Sequence, residues 1–201
     1  MKIIRLLFVT IALSITLGTV GYCIYAAKVK ILIIPVEGQL KFTDKYNPDA
    51  YLCFPATYTE TDGCIWGEYR IDGATQGKSR TRNRISIHPE KGLVVSKKWQ
   101  SDNGFQQHVL VKDGKPCGFA DKRIFIRRAL CAVSADSPEL VIVESLYPMT
   151  LSRFAELLAE HCFTAVNLDM GRWAYGWCGD RHYSIHQYHH RDWQTNWIVV
   201  E

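Results

Sequence analysis

The stretch AVNLDMGRWAYGW, residues 165–177, runs three apolar positions up to Asp169 and then turns glycine-rich and aromatic. A carboxylate at such a hand-over is either a turn residue bonded to nearby backbone or the acid of a site carried on a loop. Lys78, Arg80, Arg82 and Arg84 occupy alternate positions in GKSRTRNR. On a strand all four would share one face, a cradle for phosphate or an anionic glycan; a solvated, charged edge or loop is the commoner origin of such a run. His182, His186, His189 and His190 crowd HYSIHQYHHRDW. His182 and His186 would suit a metal if helical, but Tyr183, Tyr188 and Trp193 favour a loop or strand, so exposed histidines are expected, with room for one to line a cleft. Trp173, Tyr175, Trp177, Tyr183 and Tyr188 could stack on sugar faces or fill a core, and the sequence leaves both open. No GxSxG, HExxH, P-loop or dinucleotide fingerprint occurs.

The elements that must position these residues read as mostly β. KILIIPVEGQLKFTD begins as a strand that breaks at Pro35, and DAYLCF is a second apolar run. EYRIDG alternates and closes on Asp72-Gly73, and HVLVKDGKP repeats the arrangement at Asp113-Gly114. Ile85 to His88 and Leu93 to Ser96 form strands about a turn at Pro89-Glu90-Lys91-Gly92. RIFIRRALCAVS and ELVIVES form two more, joined by ADSP. The period then changes: Leu151, Phe154, Leu157, Leu158 and Cys162 share one helical face, with Thr150 as N-cap. A strand from Thr164 to Leu168 ends at Asp169, the next stretch reads as an aromatic loop, and Trp197 to Val200 closes the chain as a strand. The expectation is an α+β fold: a single domain with a mixed or antiparallel sheet and few helices, preceded by an N-terminal transmembrane helix.

That helix is read from Lys2 and Arg5, which precede 22 residues from Leu6 to Ala27 without a charge. This is long enough to span a bilayer, with the basic leader left in the cytoplasm. A cleaved signal peptide and a lipoprotein at Cys23 are rival readings. Residues 1–30 are thus a membrane anchor or signal segment and 31–201 the globular domain, periplasmic or extracellular under all three readings. The net charge is +4; without Lys2 and Arg5 it is 22 basic against 20 acidic residues, too little to suggest a nucleic-acid partner. Beyond the anchor lie Cys53, Cys64, Cys117, Cys131, Cys162 and Cys178. An exported domain could pair them into as many as three disulfides, or several could be small buried hydrophobes. No close CxxC pair occurs, and neither a metal nor a cofactor is expected.

In order, the chain offers FPATYTETDG, IDG, LVKDG, RRALC, TLSRFAELL and AVNLDMG. This order and spacing, over about residues 45–200, resembles the phosphodiester glycosidase family, that of uncovering-enzyme-like domains, as a divergent member. The resemblance implies that Asn167, Asp169 and Arg127 are the catalytic residues. It places Arg128, Gly171, Arg172, Trp173, Thr57 and Tyr58 with the substrate, and leaves open which of the two arginines faces the site. Two departures stand out: Pro55 where the family has an early asparagine, and MGRWAYGW in place of a small-residue loop.

The implied chemistry is coherent. Cleaving a sugar–phosphate ester at the anomeric carbon passes through an oxocarbenium-like transition state that a neighbouring carboxylate stabilises or attacks. The leaving phosphate monoester needs charge neutralisation more than protonation, and a bidentate guanidinium supplies it. The expectation is therefore an extracytoplasmic hydrolase with Asp169 as carboxylate and Arg127 as clamp, acting on a glycosyl phosphodiester or phosphorylated glycan. The alternative is a catalytically inactive glycan- or phosphoglycan-binding module of the cell envelope. A structural partner domain of a membrane assembly is a third reading.

Overall fold

Short apolar runs punctuated by Asp-Gly and Pro-Glu-Lys-Gly turns can bury their side chains only by pairing edge to edge, and the chain does so throughout. The computed structural model describes residues 31–135, 137–169, 175–184 and 195–201; Gly171, Arg172, Trp173, the histidines 186, 189 and 190, and the apolar segment 6–27 lie outside them. In chain order the strands are β1 (Ile31–Pro35), β2 (Lys41–Thr43), β3 (Leu52–Pro55), β4 (Tyr69–Ile71), β5 (Ala74–Gln76), β6 (Arg84–His88), β7 (Gly92–Ser96) and β8 (Gly104–Phe105). They continue with β9 (Val109–Lys112), β10 (Lys115–Pro116), β11 (Arg128–Ala132), β12 (Leu140–Ser145), β13 (Thr164–Asn167), β14 (Tyr175–Cys178), β15 (Arg181–Ser184) and β16 (Trp197–Val200). Between β12 and β13 lies the one helix of the described residues, α1 (Leu151–Ala159). No helix among them is long and apolar enough to cross a membrane.

Among the described residues every pairing is antiparallel, and there are three sheets where the sequence suggested one. They run β1-β12-β11-β13-β9-β10, β15-β14-β3-β16-β2 and β5-β4-β8-β6-β7. The turns follow their chemistry. Asp72-Gly73 and Asp113-Gly114 have positive φ at both residues and close two-residue hairpins, as the right-handed twist of paired strands demands. The sheets meet on one core, in which Leu130, Ile142 and Val166 of the first sheet pack with Phe54 and Ile198 of the second and Phe105 of the third. The opposite face of the first sheet is covered by α1: Leu151, Phe154, Ala155 and Leu158 lie against Ala129, Cys131, Val143 and Ala165. The Thr150 hydroxyl caps α1, accepting a hydrogen bond from the Arg153 N–H at 3.2 Å.

One local expectation changes, and two readings left open are decided. The aromatic tail is no loop at 175–184: β14 and β15 form a hairpin, and β14 pairs with β3. Gly176 permits this, because any Cβ there would stand 2.2 Å from the Phe54 ring. The alternating basic run does not share a strand: only Arg84 lies in β6, while Lys78, Arg80 and Arg82 occupy the exposed approach to it. Glu60 and Glu68 pair with Arg80 and Arg84. The six cysteines of the described residues are thiols, and Cys53, Cys131 and Cys162 are buried.

Candidate active site

Where β13 ends, its backbone ties three parts of the chain together. The Asn167 N–H donates to the His108 carbonyl at 2.8 Å, that of Leu168 to Arg128 at 2.9 Å and that of Asp169 to Ala56 at 3.0 Å. The last bond carries the strand out of the first sheet and onto the segment that leaves β3. Residues 167 and 169 share a face, since strand side chains alternate, while Val166 and Leu168 go into the inter-sheet core. The sequence thus delivers Asp169 to a seam where two sheets separate.

Asn167 is buried, and its side-chain amide donates to the Tyr58 hydroxyl at 3.0 Å. Partial burial, reinforced by the nearby Asp169 carboxylate, pushes the Tyr58 phenol up to about 12, with Arg127 and Arg123 pulling the other way. The phenol is therefore neutral and keeps a proton to donate. Its ring begins an aromatic wall: Trp66 is 5.7 Å away and His108 6.0 Å, and His108 stands 5.9 Å from Phe119, centroid to centroid. Burial holds the His108 imidazole below its ordinary pKa, with Asp121 opposing.

The two adjacent arginines part company. Arg128 lies on the core face of β11 with no exposure, its Nε and Nη2 donating to one Glu144 oxygen at 2.9 and 2.6 Å. Its guanidinium sits 4.5 Å from the Phe54 ring centroid, and its Nη1 has no hydrogen-bond partner. Arg127 precedes β11 on the other face, 6% exposed, with Nε donating to the Met149 carbonyl at 3.1 Å and Nη2 to that of Arg123 at 2.6 Å. Among the described residues no carboxylate lies within ion-pairing distance of Arg127. Burial lowers its pKa, and the fields of Tyr58 and Asp121 raise it. Arg123 is committed to Asp121, at 2.9 Å from Nε and 2.8 Å from Nη2, which takes the Asp121 carboxyl down to about 2.

Of the residues read from the sequence, Asn167, Asp169, Tyr58 and Arg127 come together here. Arg128 lies on the core side of the sheet, within reach of the Asp169 field. Thr57 is buried, its hydroxyl 3.1 and 3.0 Å from the carbonyls of Trp66 and Gln106, a brace for the segment that carries Tyr58. His182 is exposed on β15, stacked on Tyr175. Trp66, His108 and Phe119 were not foreseen. Only His108 had a signal: it immediately precedes β9, which pairs with β13, so the strand register sets it beside Asn167. A cavity of about 810 Å³, lined in part by Lys41, Asp72, His88 and Asp102, includes none of these residues. Among the described residues no cluster of three or more His, Cys, Asp or Glu could hold a metal ion.

No family model and no curated protein matches the chain. Among solved structures, it is similar to the catalytic domain of zebrafish N-acetylglucosamine-1-phosphodiester alpha-N-acetylglucosaminidase, auto-inhibited by its pro-peptide. The likeness has 13% identity and a TM-score of 0.57, and covers 86% of this chain and 73% of that one. A hypothetical protein from Synechocystis is more remote, at 10% identity and a TM-score of 0.49 over 85% of this chain and 56% of the other. At such identity the first likeness is one of architecture: the chain is built on a glycosidase-like fold.

Proposed function

We propose that this protein is a hydrolase that cleaves a glycosyl phosphodiester outside the cytoplasm, held to the membrane by its N-terminal segment. The observation that carries this reading is the meeting, at the end of β13, of Asp169, the Asn167–Tyr58 pair and Arg127, a guanidinium without a carboxylate partner among the described residues. The fold likeness to a domain named for cleaving a sugar phosphodiester supports the same chemistry.

In this scheme the bond between the anomeric carbon and the phosphate oxygen breaks, and its electron pair leaves with the phosphate monoester. Arg127, held by two backbone carbonyls, neutralises the departing charge. Asp169 stabilises or captures the oxocarbenium-like carbon, and water supplies the hydroxyl that completes the sugar. Tyr58, kept neutral, donates a hydrogen bond to a substrate oxygen, and Asn167 fixes its orientation. The wall of Tyr58, Trp66, His108 and Phe119 seats the sugar face. That wall also favours the second reading, a binding module without turnover.

The test uses the full-length chain, wild type beside Asp169→Asn, against α- and β-glycosyl phosphodiesters including nucleotide sugars, with released sugar followed by mass spectrometry. Release that depends on Asp169 is the expected result. Saturable binding without release, weakened by Trp66→Ala, would replace the hydrolase with the binding module.

A further inference from the structure

Seven large hydrophobic side chains are exposed among the described residues, and four of them sit in two loops: Ile124 (62%), Phe125 (46%), Leu146 (46%) and Tyr147 (59%). The loops touch through a two-way backbone pair, Phe125 N–H to the Met149 carbonyl at 3.2 Å and Met149 N–H to that of Phe125 at 2.8 Å. The four side chains therefore belong to one patch rather than being scattered, and a grouped apolar patch marks a contact surface. Its place in the fold says what it contacts. Ile31, the first residue of β1, lies opposite Ser145, so Leu146 and Tyr147 continue past the point where the described chain begins. The uncharged segment ends at Ala27, four residues earlier, and four extended residues reach at most about 14 Å. The connecting sequence carries Lys28 and Lys30, and Lys122 is exposed beside Ile124.

We infer that the Ile124–Phe125 and Leu146–Tyr147 loops form a second membrane contact, seated in the interface of an anionic bilayer beside the point where the N-terminal segment emerges. The inference rests on that segment being a retained anchor. Aliphatic and aromatic side chains at the loop tips enter the headgroup region, where rings such as those of Phe125 and Tyr147 sit well. Lys122 meets the anionic surface. The guanidinium carbons of Arg127 and Arg123 lie 5.1 and 5.9 Å from the Phe125 ring centroid, so the patch is continuous with the basic side of the candidate site. Seating it turns that side towards the lipid surface.

The experiment reconstitutes the full-length chain in vesicles of phosphatidylcholine and phosphatidylglycerol carrying a photoactivatable acyl chain, and maps the labelled peptides by mass spectrometry. Label is expected on residues 6–27 and on the peptides holding Ile124–Phe125 and Leu146–Tyr147, and not on those holding Tyr51 or Val133, which are exposed hydrophobics elsewhere. Ile124→Ser with Tyr147→Ser, both at exposed positions, should remove the loop label while residues 6–27 keep theirs and the circular dichroism spectrum is unchanged. Label on residues 6–27 without label on the loops overturns the inference and leaves the anchor standing. Label on neither overturns both. Amine-reactive cross-links joining Lys122 of two chains, with the loops unlabelled, would replace the bilayer with a second copy of this protein.

Discussion

The Arg128–Glu144 pair allows a quantitative test of how the core is held. Glu144→Gln keeps the volume of the side chain and removes its charge, leaving Arg128 buried with no exposure and no counter-ion at 2.6 Å. Breaking one side of such a pair costs about 3–5 kcal/mol, because the remaining charge stays in the interior with only the more distant field of Asp169 to oppose it. The cation–π contact with Phe54 persists in the variant and does not replace the carboxylate. With a urea dependence of about 2 kcal/mol per molar, the unfolding midpoint should fall by about 1.5–2.5 M. Tryptophan fluorescence of the full-length chain in nanodiscs reads this well, since all 6 tryptophans lie beyond residue 30. The double variant Arg128→Met, Glu144→Leu should recover most of the loss or exceed the wild type. It removes both desolvated charges, and with them the unpartnered Nη1, a buried donor worth about 1–3 kcal/mol of penalty. A Glu144→Gln variant within about 1 kcal/mol of wild type, or a double variant no better than the single, would refute the reasoning.

Three further outcomes are expected. The Tyr58 phenol, raised to about 12, favours folding fully below about pH 10 and loses that contribution as the pH rises from about 10 to 12; an ultraviolet titration should show a late phenolate component, shared with Tyr51, Tyr69 and Tyr183, that Tyr58→Phe reduces by one phenol, and complete titration by pH 10.5 would contradict it. Gly176→Ala should cost about 1–3 kcal/mol by overpacking, its Cβ meeting the Phe54 ring at 2.2 Å and the Cys53 carbonyl at 2.9 Å, whereas Gly118→Ala meets nothing within 4 Å and should be neutral; equal thermal melts would sink the claim. If the proposed hydrolysis is established, Arg127→Gln should lower turnover by about 10²–10³-fold with the circular dichroism spectrum intact, and unchanged turnover would remove Arg127 from the clamp role.

Much of the fold was legible before the structure because its signals are local. The Asp-Gly dipeptides at 72–73 and 113–114 specify their own hairpins, and Thr150 followed by the apolar positions of α1 specifies the helix. The hairpin of β14 and β15 was missed because its evidence lies elsewhere in the chain: Trp177 donates through its indole N–H to the Ala50 carbonyl at 2.7 Å, and Gly176 makes room for Phe54, 122 positions earlier. Three of the four rings of the aromatic wall escaped, Trp66 and Phe119 for the same reason, since they carry no local mark that they will face His108. The alternating cations followed the commoner of their two readings: among the described residues, 77–83 pair with no strand and lie exposed or half-buried, and only Arg84 joins β6.

By itself, then, the sequence determined where most of the strands lie, where the helix lies, and that Asp169 stands at the end of a strand. Turn chemistry and side-chain period act over a few residues and need no partner. Only the tertiary structure decided which side chains Asp169 would meet. Asn167 reaches Tyr58 across 109 positions of sequence. Strand alternation sends Arg127 towards Tyr58 and Arg128 into the core against Glu144, and that choice depends on which face of β11 the helix covers. Such contacts follow from the order and register of the strands, which are set by the joint burial of three sheets rather than by any one segment.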